Sequence, residues 1–161
     1  MLHADASSPF PAARDADRLI AELYAREYRP LTRLAVLLVF DLETAEEVVG
    51  DAFAAISGGW RRPRDSEQAL SLLRRAVVSN SRAVRQRRMA ANGNALLERS
   101  AIVDALRGLP QRQREAVVLR YYGSLSEAEV AAAMGVRRGM VRSYLARGMS
   151  SLRVVLEDEA R

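Results

Sequence analysis

The segment LSEAEVAAAMGVRRGMVRSYLARGMSSL, residues 125–152, decides how the chain is read. Ser126 is placed to accept from the amides that follow it, and Glu127 and Glu129 put negative charge at the positive start of a helix. Val130, Ala133 and Met134 form an apolar stripe at helical spacing, and Gly135 suits the left-handed turn that a residue with a side chain resists. A second helix is predicted from Arg138 or Gly139. In it Val141, Leu145 and Leu152 face inward, which leaves Arg137, Arg138, Arg142, Ser143, Tyr144 and Arg147 for the outer face. The pattern is a helix-turn-helix with a basic second helix. A helical hairpin with merely solvated arginines is the alternative. The short turn and the arginines on the first two turns of the second helix, the part that enters a major groove, favour DNA binding.

Outside this segment the chain is uninterrupted enough to build helical cores, with 49% hydrophobic residues and five prolines in 161. The longest apolar run is Leu34 to Phe40, too short for a membrane span. Residues 1–17 carry acids and prolines where a signal peptide has a basic start and an apolar segment, so a cytoplasmic protein is expected. There is no cysteine, and the one histidine, His3, lies in a predicted N-terminal tail. Disulfides, thiol chemistry, histidine-based metal sites and cofactors are therefore not expected, and neither is an enzyme.

The net charge of +5 conceals a segregation. Residues 18–60 hold seven acids against four arginines, 61–88 hold nine arginines against two acids, and 110–156 hold eight against three. All 25 basic residues are arginine. Two basic blocks suggest two nucleic-acid contacts, and the acidic block ahead of them suggests a different partner.

From Asp17 to Phe40 apolar residues recur every three or four positions, which predicts two helices or one kinked at Pro30. A further helix is expected from Thr44 to about Ile56, with Val48, Val49, Ala52 and Phe53 on one face and Glu46, Glu47 and Asp51 on the other. SGGWRRPR, residues 57–64, is a breaker-rich loop. In it Trp60 either stacks on an unpaired base beside Arg61 and Arg62 or closes the helical core. Ser66 is expected to cap a long helix with Leu70, Leu73, Val77, Val78, Ser81 and Val84 inward and Arg74, Arg75, Arg82, Arg85, Arg87 and Arg88 outward, a face suited to phosphate. Asn80 is a candidate for a base or backbone contact, with a buried hydrogen bond as the alternative. Residues 89–99, MAANGNALLER, read as a linker. Ser100 caps a helix to Leu106, and Pro110 opens the next, where Arg112 and Arg114 are candidate phosphate clamps.

Three strings carry a resemblance to a known family. LPQRQREAVVLRYY, residues 109–122, followed by LSEAEVAAAMG resembles the fourth conserved region of extracytoplasmic-function (ECF) bacterial sigma factors, which reads the minus-35 promoter element. The stretch from Leu31 to Phe53 resembles their second region, in which the acidic helix docks on the largest polymerase subunit. LLRRAVVSNSR, residues 72–82, resembles the part that melts and reads the minus-10 element, with the preceding loop, about 61–67, capturing a flipped base.

The resemblance implies an all-α protein of two small helical domains joined by a short linker, the second a helix-turn-helix domain. Residues 18–88 would bind polymerase and the minus-10 element, 89–99 would link, 100–156 would bind the minus-35 element, and 1–17 and 157–161 would be tails. Glu46, Glu47 and Asp51 would meet core RNA polymerase. Trp60, Arg61, Arg62, Arg74, Arg75, Asn80 and Arg82 would serve minus-10 recognition and melting. Arg142, Ser143 and Arg147 would reach bases, with Tyr144 on the same helix and Arg137, Arg138, Arg112 and Arg114 near the DNA backbone. Promoter DNA and core polymerase are the implied partners, and an anti-sigma factor is a further one; no small-molecule substrate and no membrane insertion are expected. Three residues depart from the family: Gly50 stands where glutamine is usual, and Met140 and Tyr144 where threonine and arginine are. Glycine there costs about 1 kcal/mol of helix stability relative to alanine. Two rivals remain open: a helix-turn-helix regulator that acts without polymerase, and a degenerate sigma factor that acts as a decoy.

Overall fold

The computed structural model describes residues 11–58, 63–91 and 100–161, and all its regular elements there are helical. Helix α1 spans Pro11–Val39, α2 Leu42–Ser57 and α3 Ser66–Ala91. After the interval 92–99 come α4 Ala101–Gly108, α5 Gln111–Val117, a π-helical turn Val118–Tyr122, α6 Glu127–Met134 and α7 Arg138–Glu159.

Helix α1 is one helix, not two, and it begins at Pro11, inside the stretch expected to be a tail. Pro30 lies on its exposed side, where the hydrogen bond that a proline nitrogen cannot donate to the Arg26 carbonyl is replaceable by water. The inward positions Leu23, Leu31, Leu34, Ala35 and Leu38 are all buried, so packing holds the helix through the proline. It ends at Phe40, which takes a left-handed φ of 59° while its amide donates to the Val36 carbonyl at 2.7 Å. Asp41 then caps α2 by accepting from the Thr44 amide at 3.0 Å and from the Thr44 hydroxyl. One helix thus turns into the next within two residues.

The buried side of α2 is Thr44, Ala45, Val48, Val49, Ala52, Phe53 and Ile56, and it packs on α1 and α3. Helix α3 is capped by Asp65, not by Ser66 as expected: the Asp65 carboxylate accepts from the Gln68 amide at 2.8 Å, and the Gln68 side chain accepts from the Arg64 amide at 2.7 Å. Ala69, Leu73, Val77 and Val78 complete the core of this three-helix unit. Burying a leucine or valine side chain stabilises by roughly 1.5–3 kcal/mol, so these stripes dominate the energetics.

The second unit is assembled around α7. Ser100 caps α4 by accepting from the Val103 amide, and α4 runs two residues past the expected end. At Gly148 α7 crosses α5 so closely that a β-carbon would stand 2.8 Å from a methyl of Val117. The two units also pack on each other. Helix α3 lies against α6, the π turn lies against α1, and the buried apolar residues of both units form one continuous cluster.

Candidate nucleic-acid interface

The helix-turn-helix forms as its sequence predicts. The Ser126 hydroxyl accepts from the Glu129 amide at 3.2 Å and the Glu129 carboxylate accepts from the Ser126 amide at 2.8 Å, a reciprocal capping box. These bonds hold the Glu129 carboxyl below its usual range, with Arg74 adding to the effect. Gly135 closes α6 with φ 67°. Val130, Ala133, Met134, Val141 and Leu152 are buried and fix α6 against α7.

On α7 the structure brings Arg137, Arg138, Arg142, Ser143 and Arg147 to the surface. Tyr144 is a correction: it is half-buried and packs on the core, so its ring is part of the support for the helix. Met140 is exposed. Arg142 donates from Nε to a Glu127 carboxylate oxygen at 2.8 Å, and this bond is the chief cause of a lowered Glu127 pKa.

Along α3 the expected basic face is only partly free. Arg75 and Arg87 are exposed. Arg74 reaches Glu129 of the second unit at 3.5 Å. Arg82, expected to face DNA, donates from Nε and Nη2 to the two oxygens of Glu115, each at 2.7 Å, and from Nη2 to the Met134 carbonyl at 3.0 Å. Asn80 is likewise internal, its side-chain amide donating to the Val48 carbonyl at 3.3 Å, which favours the buried-bond reading. Trp60, Arg61 and Arg62 lie outside the described residues, as does most of the expected linker.

Arg114 overturns its expected place as a phosphate clamp. It is 3% exposed, donates to the Arg107 and Leu109 carbonyls, and is pushed down to about 10 by burial and by neighbouring Arg85. Arg112 stays exposed and is drawn toward Glu115 at 3.7 Å. What Arg114 faces comes from residues distant in the chain and has no local signal. The Phe40 ring has the guanidiniums of Arg85, Arg107 and Arg114 at 5.2, 5.0 and 5.3 Å from its centre. Cations over an aromatic face are attracted to its π electrons, but three of them also repel one another. The Nε groups of Arg107 and Arg114 are buried with no hydrogen-bond partner among the described residues, a further cost at this seam.

Glu115 was missed as a structural residue, because nothing local marks a glutamate that is buried by a distant helix. Glu46, Glu47 and Asp51 are exposed along the side of α2 opposite the core, as the spacing predicted.

Residues 99–152 match the family model described as Sigma-70, region 4. The chain is 32% identical over 138 residues to an RNA polymerase sigma-E factor of Streptomyces coelicolor, covering 76% of this chain and 77% of that one. It is 34% identical over 145 residues to the ECF RNA polymerase sigma factor SigM of Mycobacterium tuberculosis, covering 81% and 74%. In fold it is similar to CnrH, solved in complex with the cytosolic domain of CnrY, with a TM-score of 0.69, 21% identity and coverage of 91% and 95%. It is also similar to RpoE of Bartonella quintana, solved with the anti-sigma factor NepR, with a TM-score of 0.63, 21% identity and coverage of 85% and 96%. A helix-turn-helix protein with a separate acidic helix thus falls among transcription initiation factors. The chain belongs to the ECF sigma factors of bacterial RNA polymerase.

Proposed function

We propose that the chain directs core RNA polymerase to a promoter set through two contacts, residues 100–156 at the minus-35 element and 18–88 at polymerase and the minus-10 element, with 89–99 as linker. The observation that carries this reading is α7, held at a fixed angle by the capping box and Gly135, with Arg137, Arg138, Arg142, Ser143 and Arg147 exposed. An arginine at such a position reads guanine edges, while its neighbours hold phosphates. The acidic side of α2 supplies the polymerase contact, where charge complementarity raises association rate and fixes orientation. The chain performs no chemistry of its own; polymerase does. No described helix is long and apolar enough to cross a membrane.

The seam between the units supports a partner of the anti-sigma type, by analogy with the two complexes of similar fold. It engages Arg74 and Arg82, so a protein that stabilises it withholds α3 from DNA. Mixing the purified chain with core polymerase and sequencing the 5′ ends of run-off transcripts from fragmented genomic DNA tests the proposal. Transcripts sharing two upstream elements are expected. Polymerase binding without transcripts would support the decoy, and DNA binding without polymerase binding would support the simple regulator.

A further inference from the structure

Among the described residues, Arg142 is the arginine of α7 that an ion pair restrains, while Arg138 and Arg147 beside it make no side-chain bond to another described residue. Arg142 is 71% exposed, yet its Nε donates to Glu127 on the first turn of α6 at 2.8 Å. Its Nη1 and Nη2 groups have no acceptor among the described residues. A guanidinium offers two edges for paired hydrogen bonds, one through Nε and a terminal nitrogen and one through both terminal nitrogens. Glu127 takes the Nε donor of the first edge and leaves both terminal nitrogens of the exposed guanidinium without an acceptor among the described residues.

We infer that Glu127 is a specificity-determining positioning residue: by holding Arg142 through Nε, it presents the terminal edge of the guanidinium to a guanine in the upstream element. This rests on the assignment of α7 to that element. Two physical consequences follow from the pair. Fixing one edge removes rotamers that a free arginine would lose on binding, so the restrained side chain reaches the O6 and N7 acceptors of guanine at lower entropic cost. The carboxylate beside Arg142 also repels phosphate, which steers this arginine toward a base edge and away from the backbone. Arg138 and Arg120 also act on Glu127 electrostatically, but its hydrogen bond goes to Arg142. Glu127 therefore sharpens discrimination at some expense of general affinity.

The test uses holoenzyme reconstituted from core polymerase and the full chain, selecting from promoter fragments randomised across the upstream element, with the bound pool sequenced. Wild type is expected to favour guanine at one position on the order of ten-fold, a preference that Arg142→Ala removes. Glu127→Ala is expected to reduce that preference several-fold while raising retention of non-promoter fragments. Glu127→Gln, which keeps an acceptor at the same place, is expected to fall between. In the Arg142→Ala background Glu127→Ala should leave base preference unchanged. If Glu127 acts only as a favourable charge at a helix start, both Glu127 variants will lower the melting temperature and weaken all sequences equally with the base profile intact, and the inference is overturned. Wild-type holoenzyme that selects no upstream element would instead overturn the assignment of α7.

Discussion

Arg82 on α3 and Glu115 on α5 form a two-pronged ion pair across the seam, Nε to one carboxylate oxygen and Nη2 to the other, both at 2.7 Å. Glu115 is 3% exposed, so the pair replaces solvent almost completely on the carboxylate side. Removing one member of such a pair strands the other. Glu115→Ala is expected to cost about 2–3 kcal/mol, less than the roughly 3–5 of a fully buried pair because Arg82 keeps partial access to water. The midpoint of urea unfolding checks the size. Small-angle scattering checks the place: the radius of gyration of Glu115→Ala should rise as the units part. An unchanged radius with lowered stability would show that the pair supports α5 alone.

The same pair shows where sequence reading stopped. Ser126, Glu129 and Gly135 were legible because a capping box and a left-handed glycine are decided within a few residues. The acidic side of α2 was legible because helical spacing separates it from Val48, Val49 and Phe53. Arg82 and Arg114 were not: the acceptor that takes Arg82 is Glu115 of the other unit, and Arg114 is enclosed by the Arg107 and Leu109 carbonyls of its own unit together with Phe40 and Arg85 of the other. Pro30 left one helix or two open for a related reason. Whether a proline breaks a helix depends on which side of the helix it occupies, and that side is fixed by the tertiary packing of Leu31 and Leu34.

Asp41 predicts an acid limb in stability. Its carboxyl is held below the usual range by bonds from the Thr44 side chain and amide, helped by Arg88 and opposed by burial. A carboxylate with a depressed folded pKa contributes stability that is complete above its ordinary value, about pH 4, and is lost as pH falls through the lower folded value. Asp41→Ala should cost about 1 kcal/mol at pH 7 through loss of the cap. Asp41→Asn keeps a capping oxygen and removes the titration. Melting temperatures measured from pH 7 to 3 should therefore fall more steeply for wild type than for Asp41→Asn.

Gly50 can be filled. A β-carbon there would meet no atom within 4 Å, and the residue is in the middle of α2. Gly50→Ala should raise stability by about 1 kcal/mol by restricting the unfolded chain. Gly50→Gln, which restores the side chain usual in the family, should stabilise similarly and tighten core polymerase binding, measured by titration of labelled protein. Stabilisation without tighter binding would place Gly50 outside the contact.

Gly148 is the opposite case. A β-carbon would stand 2.8 Å from Val117 Cγ2 and 3.4 Å from the Gln113 carbonyl, so the crossing of α7 over α5 must open. Gly148→Val is expected to destabilise by about 1–3 kcal/mol, beyond any gain in helix propensity. Denaturant unfolding gives the size. Hydrogen exchange should show faster exchange in α5 and α7, whereas uniform loss of protection in α1 and α2 would contradict the local origin.

The acidic side of α2 separates a sigma factor from a regulator that binds DNA alone. Glu47 and Asp51 are exposed, so reversing them to arginine strands no buried partner and should leave folding nearly unchanged. Charges at the edge of an interface act chiefly on encounter and on rejection of mismatched partners, and like charges facing one another cost several kcal/mol. Glu47→Arg with Asp51→Arg should therefore weaken binding to core polymerase at least ten-fold and abolish promoter-dependent transcripts, with the loss smaller at high salt, where repulsion is screened. Retention of duplex DNA by the isolated chain should not fall, because α7 is untouched and the added charge is positive. Unchanged polymerase affinity in the double variant would remove α2 from the contact and require another surface to make it.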